Sequence, residues 1–139
     1  MRETLFTKSL VQKALATPVA TIATNTTTAG AAIDLQKFNN RFNTVLFALS
    51  TGTVTDGAYD VGLEESVDGI SYAEVPDERV QGTPPSIVAA DDNALFQFGY
   101  IPGTARYVRL TIVSTTVTTG AVLTAVAVLS GGSTPVARS

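Results

Sequence analysis

The chain has 139 residues, nine of them Lys or Arg and twelve Asp or Glu, with no histidine and no cysteine. Those absences remove the usual residues of zinc sites, of Cys and Ser–His nucleophile systems, of disulfides and of thiol redox chemistry. The length suits one domain, able to bury roughly two-thirds of its unfolded surface without staples.

Leu5, Phe6, Leu10, Val11 and Leu15 would form one stripe of a short helix, yet Thr4, Thr7 and Ser9 equally allow an extended arm. The arm, residues 1–17, is the preferred reading. Pro18 ends any helix before Val19 to Thr24, which alternates as a strand, and Asn25 to Gly30 reads as a turn. Ala31 to Leu35 is a short strand. Asn43 to Ser50 is a stronger one, with Val45, Phe47 and Leu49 on one face and Thr44, Leu46 and Ala48 on the other.

Asp56-Gly57 turns the chain into a strand from Ala58 to Ser66. Asp68-Gly69 then predicts a tight hairpin returning through Ile70 to Val75, because both central residues of such turns need positive φ. From Pro76 to Asn93 the pattern breaks into a long surface excursion with room for one short strand at Ser86 to Ala89. Leu95 to Tyr100, Ala105 to Ser114 and Ala121 to Ser130 complete an all-β set of about eight or nine strands. The expected architecture is a single β-sandwich or jelly-roll-like domain over residues 18–130, with an N-terminal arm and a C-terminal tail, residues 131–139.

Ten of the twelve acids lie between Asp56 and Asp92, where Arg79 is the only base, whereas the two ends of the sequence are basic. The 21 threonines crowd into strands and their flanks, giving a pleated surface of low charge, part of which neighbours would cover. No apolar run after Met1-Arg2-Glu3 serves as a signal peptide, and Ala121 to Leu129 falls far short of the roughly 20 residues of a membrane helix. Synthesis in a cytoplasm and no membrane partner are expected.

The acids Asp56, Asp60, Glu64, Glu65 and Asp68 match no EF-hand spacing and are read as turn formers and edge charges, so no metal or cofactor is expected. The pairs Asp77-Glu78 and Asp91-Asp92 could serve a glycosidase only at a separation that adjacent loop positions do not define, so no enzyme is expected. Lys37 and Arg41 with Phe38 and Phe42 form the nearest approach to a basic aromatic patch, too small for nucleic acid.

Glu65-Ser66-Val67-Asp68-Gly69, followed by Gly99-Tyr100-Ile101-Pro102-Gly103-Thr104-Ala105-Arg106-Tyr107-Val108-Arg109, resembles a family of small β-sandwich virion proteins of tailed bacteriophages. Ala32-Ile33-Asp34-Leu35 and Val54-Thr55-Asp56-Gly57 extend the likeness over roughly residues 30 to 130. It implies a head decoration or minor capsid protein that cements the outside of the shell, with the major capsid protein and further copies of itself, as a trimer or other symmetric cluster, for partners. A virion location follows. Ala105 to Leu110 after a Ser-x-Asp-Gly turn also occurs in discoidin-like carbohydrate-binding sandwiches, which would make the chain a sugar-binding adhesion module, and a tail component is the other alternative. That pattern usually brings a Trp and bridging cysteines; here Tyr72 takes the aromatic place and no Cys exists.

Asp68, Gly69, Arg106, Tyr107 and Arg109 are accordingly expected to be structural. Leu5, Phe6, Lys8, Leu10, Val11 and Lys13 of the arm, with Val122, Val126 and Val128 of the last strand, are the expected capsid or subunit interface. A strand apolar on both faces must be covered twice. The acidic middle is expected to face away from the shell and the basic ends toward it.

Overall fold

Two antiparallel sheets face each other across one core in a computed structural model that describes residues 8–36 and 41–131. The first sheet contains β1 (Leu10–Lys13), β2 (Val19–Ile22), β5 (Thr44–Val54), β8 (Val80–Gln81), β10 (Leu95–Tyr100) and β12 (Ala121–Ser130). The second contains β3 (Thr27–Ala29), β4 (Ile33–Asp34), β6 (Ala58–Ser66), β7 (Ala73–Glu74), β9 (Ser86–Ile87) and β11 (Tyr107–Thr115). The expected β-sandwich is the observed fold.

Alternation with period two builds the core. Val45, Phe47 and Leu49 of β5 point inward, as do Leu123, Ala125, Ala127 and Leu129 of β12, opposite Tyr59, Val61 and Leu63 of β6 and Val108, Leu110 and Ile112 of β11. Phe47 stacks on Phe98 with ring centroids 5.6 Å apart. Between Ala121 and Leu123 the pairing of β12 with β5 shifts, so that Ala121 faces Val54 while Leu123 faces Thr51. This bulge keeps both Thr51 and Val54 buried. Inside, the Thr51 hydroxyl donates to the Asp91 carbonyl (2.5 Å) and accepts from the Ala94 amide (2.7 Å).

Three short strands went unpredicted. Leu10–Lys13, expected in an extended arm, pairs residue for residue with Leu129 to Val126 of β12, and Ala14 and Leu15 behind it are fully buried. Thr27–Ala29 pairs with β11 where a turn was expected, and Val80–Gln81 pairs with β10 inside the expected excursion. Segments of two to four residues are strands because a neighbour offers hydrogen bonds, not through a pattern of their own.

The Asp68-Gly69 turn is a correction. Only Ala73 and Glu74 return to β6, opposite Glu65 and Glu64, so six residues, Val67 to Tyr72, join the strands. Asp68 closes this loop through its side chain: Oδ1 accepts from the Ser66 hydroxyl (2.9 Å), the Ile70 amide (2.8 Å) and the Ser71 amide (3.0 Å). Those bonds hold its carboxyl down at about 2. Gly69, at φ +78°, lies over the Tyr107 ring, 3.3 Å from where a Cβ would stand.

Asp56 does the same at the opposite end of the sandwich. Its carboxylate accepts amide N–H groups from Thr118, Thr119 and Gly120, fixing the turn between β11 and β12, and these bonds lower its pKa. Gly120 has φ +110°, and a Cβ there would lie 2.1 Å from the Ile22 carbonyl oxygen. Gly120→Ala should therefore cost about 2 kcal/mol or more in urea unfolding, through backbone strain and displacement of β2.

Both carboxyls have lower pKa values folded than unfolded, so their contribution to stability is present above the ordinary carboxylate value of 3.8 and is lost as pH falls through the folded values, for Asp68 down to about 2. Melting temperature followed by circular dichroism should fall across that window in the native chain. The fall should be shallower in Asp68→Asn.

Candidate interaction face

Lys13 is the only charged residue in the six strands of the first sheet, whereas Asp34, Asp60, Glu64, Glu65, Glu74 and Arg109 all lie in strands of the second. The outward faces of the sandwich differ accordingly. On the first sheet, Val11 stands beside Val128 and Leu46, Lys13 beside Val126 and Ala48, and Val19 beside Thr124 and Ser50. Val11 is 60% exposed, Leu46 41% and Val126 39%. The result is an aliphatic and hydroxyl surface with a single ammonium, whose Nζ reaches the Ala16 carbonyl at 2.9 Å.

Five of the expected interface residues thus meet on one face: Val11, Lys13, Val122, Val126 and Val128. Leu10 is a correction. It alternates with Val11, points into the core and is buried, so it packs within the chain. Lys8 is half-buried just before β1, and Leu5 and Phe6 lie outside the described residues. Leu46 and Ala48 belong to the same face, on the side of β5 opposite Val45, Phe47 and Leu49. What the sequence lacked was the partner: only the pairing of β5 with β12 sets them beside Val128 and Val126.

The second sheet is mostly polar outside, although Val113 of β11 is 40% exposed there. Arg109 donates from Nε (3.1 Å) and Nη2 (2.8 Å) to Glu64 Oε2, and its guanidinium carbon lies 3.7 Å from the centre of the Tyr72 ring. Arg106 forks onto Asp34 with two bonds of 2.9 Å and lies 5.3 Å from the Tyr107 ring centre. Asp60 accepts from the Ser86 hydroxyl (2.5 Å). Arg106 and Arg109, expected to be structural, each tie elements within the chain.

A third cluster bridges the two sheets at one end. Glu65 of β6 accepts from Arg79 Nη1 (2.7 Å) and Nη2 and from the Tyr100 hydroxyl (2.9 Å) of β10. Arg79 holds the Glu65 carboxyl below its usual range, while burial, then the Glu65 bond, pushes the Tyr100 phenol up to about 12. Arg41 adds bonds to the Gly103 (2.6 Å) and Ala105 (3.0 Å) carbonyls.

These pairings locally neutralise several of the charges that make up the acidic middle and the basic ends. Arg79, Arg106 and Arg109 are matched to Glu65, Asp34 and Glu64. Asp91 and Asp92 accept from the Val88 (3.0 Å) and Val54 (2.6 Å) amides. Among the strands, charge therefore divides by sheet as well as by position along the chain. Among the described residues no three His, Cys, Asp or Glu side chains gather as a metal site, and no helix is long and apolar enough to cross a membrane. A depression of about 190 Å³ between β2, β5 and the β11–β12 turn is lined by Thr21, Thr53, Thr55, Thr119, Gly120, Ala121 and Val122 and has no charged wall.

No protein-family model and no curated protein sequence matches the chain. Among solved structures it is similar to YomS, a protein derived from the SPBc2 prophage, at 11% identity and a TM-score of 0.41 over 86% of this chain and 95% of that one. It is also similar to the Tobacco streak virus coat protein, at 15% identity and TM-score 0.39 over 95% and 92% of the two chains. A third likeness is to the Clostridium thermocellum xylanase 10B fragment carrying a CBM22-1 module, at 10% identity and TM-score 0.39 over 78% of this chain and 20% of that one. All three scores lie below 0.5, and none bears on what this chain binds.

Removing Arg79 should cost more than removing Arg106. Glu65 and Arg79 are mostly buried and would leave a carboxylate stranded between the sheets, whereas Arg106 is nearly half exposed. We expect Arg79→Ala to lose about 2 kcal/mol and Arg106→Ala less than about 1 kcal/mol in urea unfolding.

Proposed function

We propose that this chain is a non-catalytic structural protein of a tailed-phage virion, which coats the outside of the capsid shell and stabilises it by adhesion. The observation that carries the reading is the outer face of the first sheet, where Val11, Leu46, Val126 and Val128 surround a single charge, Lys13. A bare aliphatic sheet face of this kind marks an interaction surface. The motif resemblance to phage virion sandwiches supplies the partner class, the major capsid protein together with further copies of the chain, and hence a virion location after synthesis in the host cytoplasm. Binding the assembled lattice but not free subunits would add the binding free energy to the mature particle by mass action.

Sugar binding is the weaker reading. Tyr72, the aromatic that would offer a stacking platform, is already packed against the Arg109 guanidinium, and that guanidinium is engaged by Glu64.

The test is co-sedimentation of the purified chain with cognate shells that lack it. Saturable binding to shells, absence of binding to free capsid subunits and a raised temperature of shell disruption are expected. Lys13→Gln should slow association and make it less sensitive to salt, because exposed charges act mainly on encounter. Truncation should stop before Ser9, since removing residues 1–15 also deletes β1. Failure to bind shells, together with retention on immobilised glycans, would overturn the reading.

A further inference from the structure

We infer that the loop between β6 and β7 is a preformed apolar knob by which one copy of the chain binds the outer face of the first sheet of the next copy. Val67 and Ile70 on this loop are 72% and 83% exposed. Aliphatic side chains held in water at a loop tip gain free energy when a partner covers them. The loop is also fixed in advance: Asp68 ties the Ser66, Ile70 and Ser71 positions together, the Gly69 amide donates to Ser66 Oγ (2.9 Å), and Tyr107 supports Gly69 from below. A knob ordered before contact loses little conformational entropy on binding.

The occupant follows from chemistry that the chain itself carries. Val67 to Tyr72 contains one charge, Asp68, and Glu74 follows it, so the complementary surface is aliphatic and positively charged. The outer face of the first sheet has that composition, with Val11, Leu46 and Val126 around Lys13 and no acid in its strands. A chain cannot close this contact on itself. The knob extends from the end of the second sheet, and the face lies outside the first, with the core between them. The contact is therefore head to tail, the kind that closes into rings when the rotation permits. A lipid surface fits less well, because the bases beside the knob, Arg106 and Arg109, are paired with Asp34 and Glu64, and the knob's acids would be repelled by anionic headgroups.

The inference rests on the adhesive reading of the first sheet and names a second copy as what covers it. Sedimentation equilibrium of the full chain over a range of concentrations tests it. The native chain should self-associate, and Ile70→Asp and Val126→Asp should each weaken association about tenfold or more, as for central apolar contacts. Circular dichroism should show both variants folded, and Ile70→Ser serves as a milder second change at the knob. Mixing Ile70→Asp with Val126→Asp should restore one contact per pair and stop at a heterodimer, since the first keeps an intact face and the second an intact knob.

Association lost in Val126→Asp but unchanged in Ile70→Asp and Ile70→Ser would overturn the knob and leave the face. Association unchanged in Val126→Asp would overturn the face itself. A monomeric native chain, a mixture that does not pair, or Ile70-dependent binding to phosphatidylcholine vesicles containing phosphatidylserine would each overturn the inference.

Discussion

The last strand, β12, constrains everything around it. It pairs with β2 and then β1 along one side and with β5 along the other, so the register of the whole first sheet is set against its ten residues. Ala121, Leu123, Ala125, Ala127 and Leu129 face the core, and Val122, Thr124, Val126 and Val128 face outward. Because side chains alternate strictly, a slip of one residue would exchange these two sets. Packing alone discriminates weakly between them, since both are apolar. The bulge opposite Ala121 and Leu123 and the Asp56 carboxylate that gathers the three amides just before β12 pin the start of the strand instead.

From that register follows the separation of chemistries. The first sheet carries almost no charge because its outward positions, Lys13 apart, are aliphatic, hydroxyl, Gln and Gly residues, whereas the second sheet pairs its charges locally: Glu64 with Arg109, Asp34 with Arg106. Such half-exposed pairs contribute little to stability. Their consequence is that the second sheet presents a satisfied polar surface, while the first leaves aliphatic area unmatched. The end cluster of Glu65, Arg79 and Tyr100 belongs to a different class, since it joins β6 to β10 across the core and is mostly buried.

Period-two alternation made β5, β6, β10, β11 and β12 legible, and with them the sandwich, because each is long enough for its own residues to declare a buried face. It also exposed the doubled apolar character of β12. Three of the short strands were illegible, since Leu10–Lys13, Thr27–Ala29 and Val80–Gln81 owe their conformation to β12, β11 and β10. Asp68-Gly69 misled for a different reason. Asp-Gly ordinarily signals a two-residue turn, but here the carboxylate bonds to amides beyond Gly69 and stabilises a wider loop. The sequence likewise offered no sign that Arg79 would find Glu65, fourteen positions earlier, or that Leu46 would stand beside Val128. Contacts between strands distant along the chain decide both.

The central claim is that the outer face of the first sheet is covered in the working assembly while that of the second is not. The chain has no cysteine, so a single introduced thiol reports its own surroundings. Maleimide labelling of Val126→Cys and Asp60→Cys, each measured at a dilution where the chain is monomeric and again bound to shells, tests the claim directly. The account predicts that Val126→Cys becomes protected on binding and Asp60→Cys stays reactive; equal labelling of Val126→Cys in both states, or protection of Asp60→Cys alone, would contradict it.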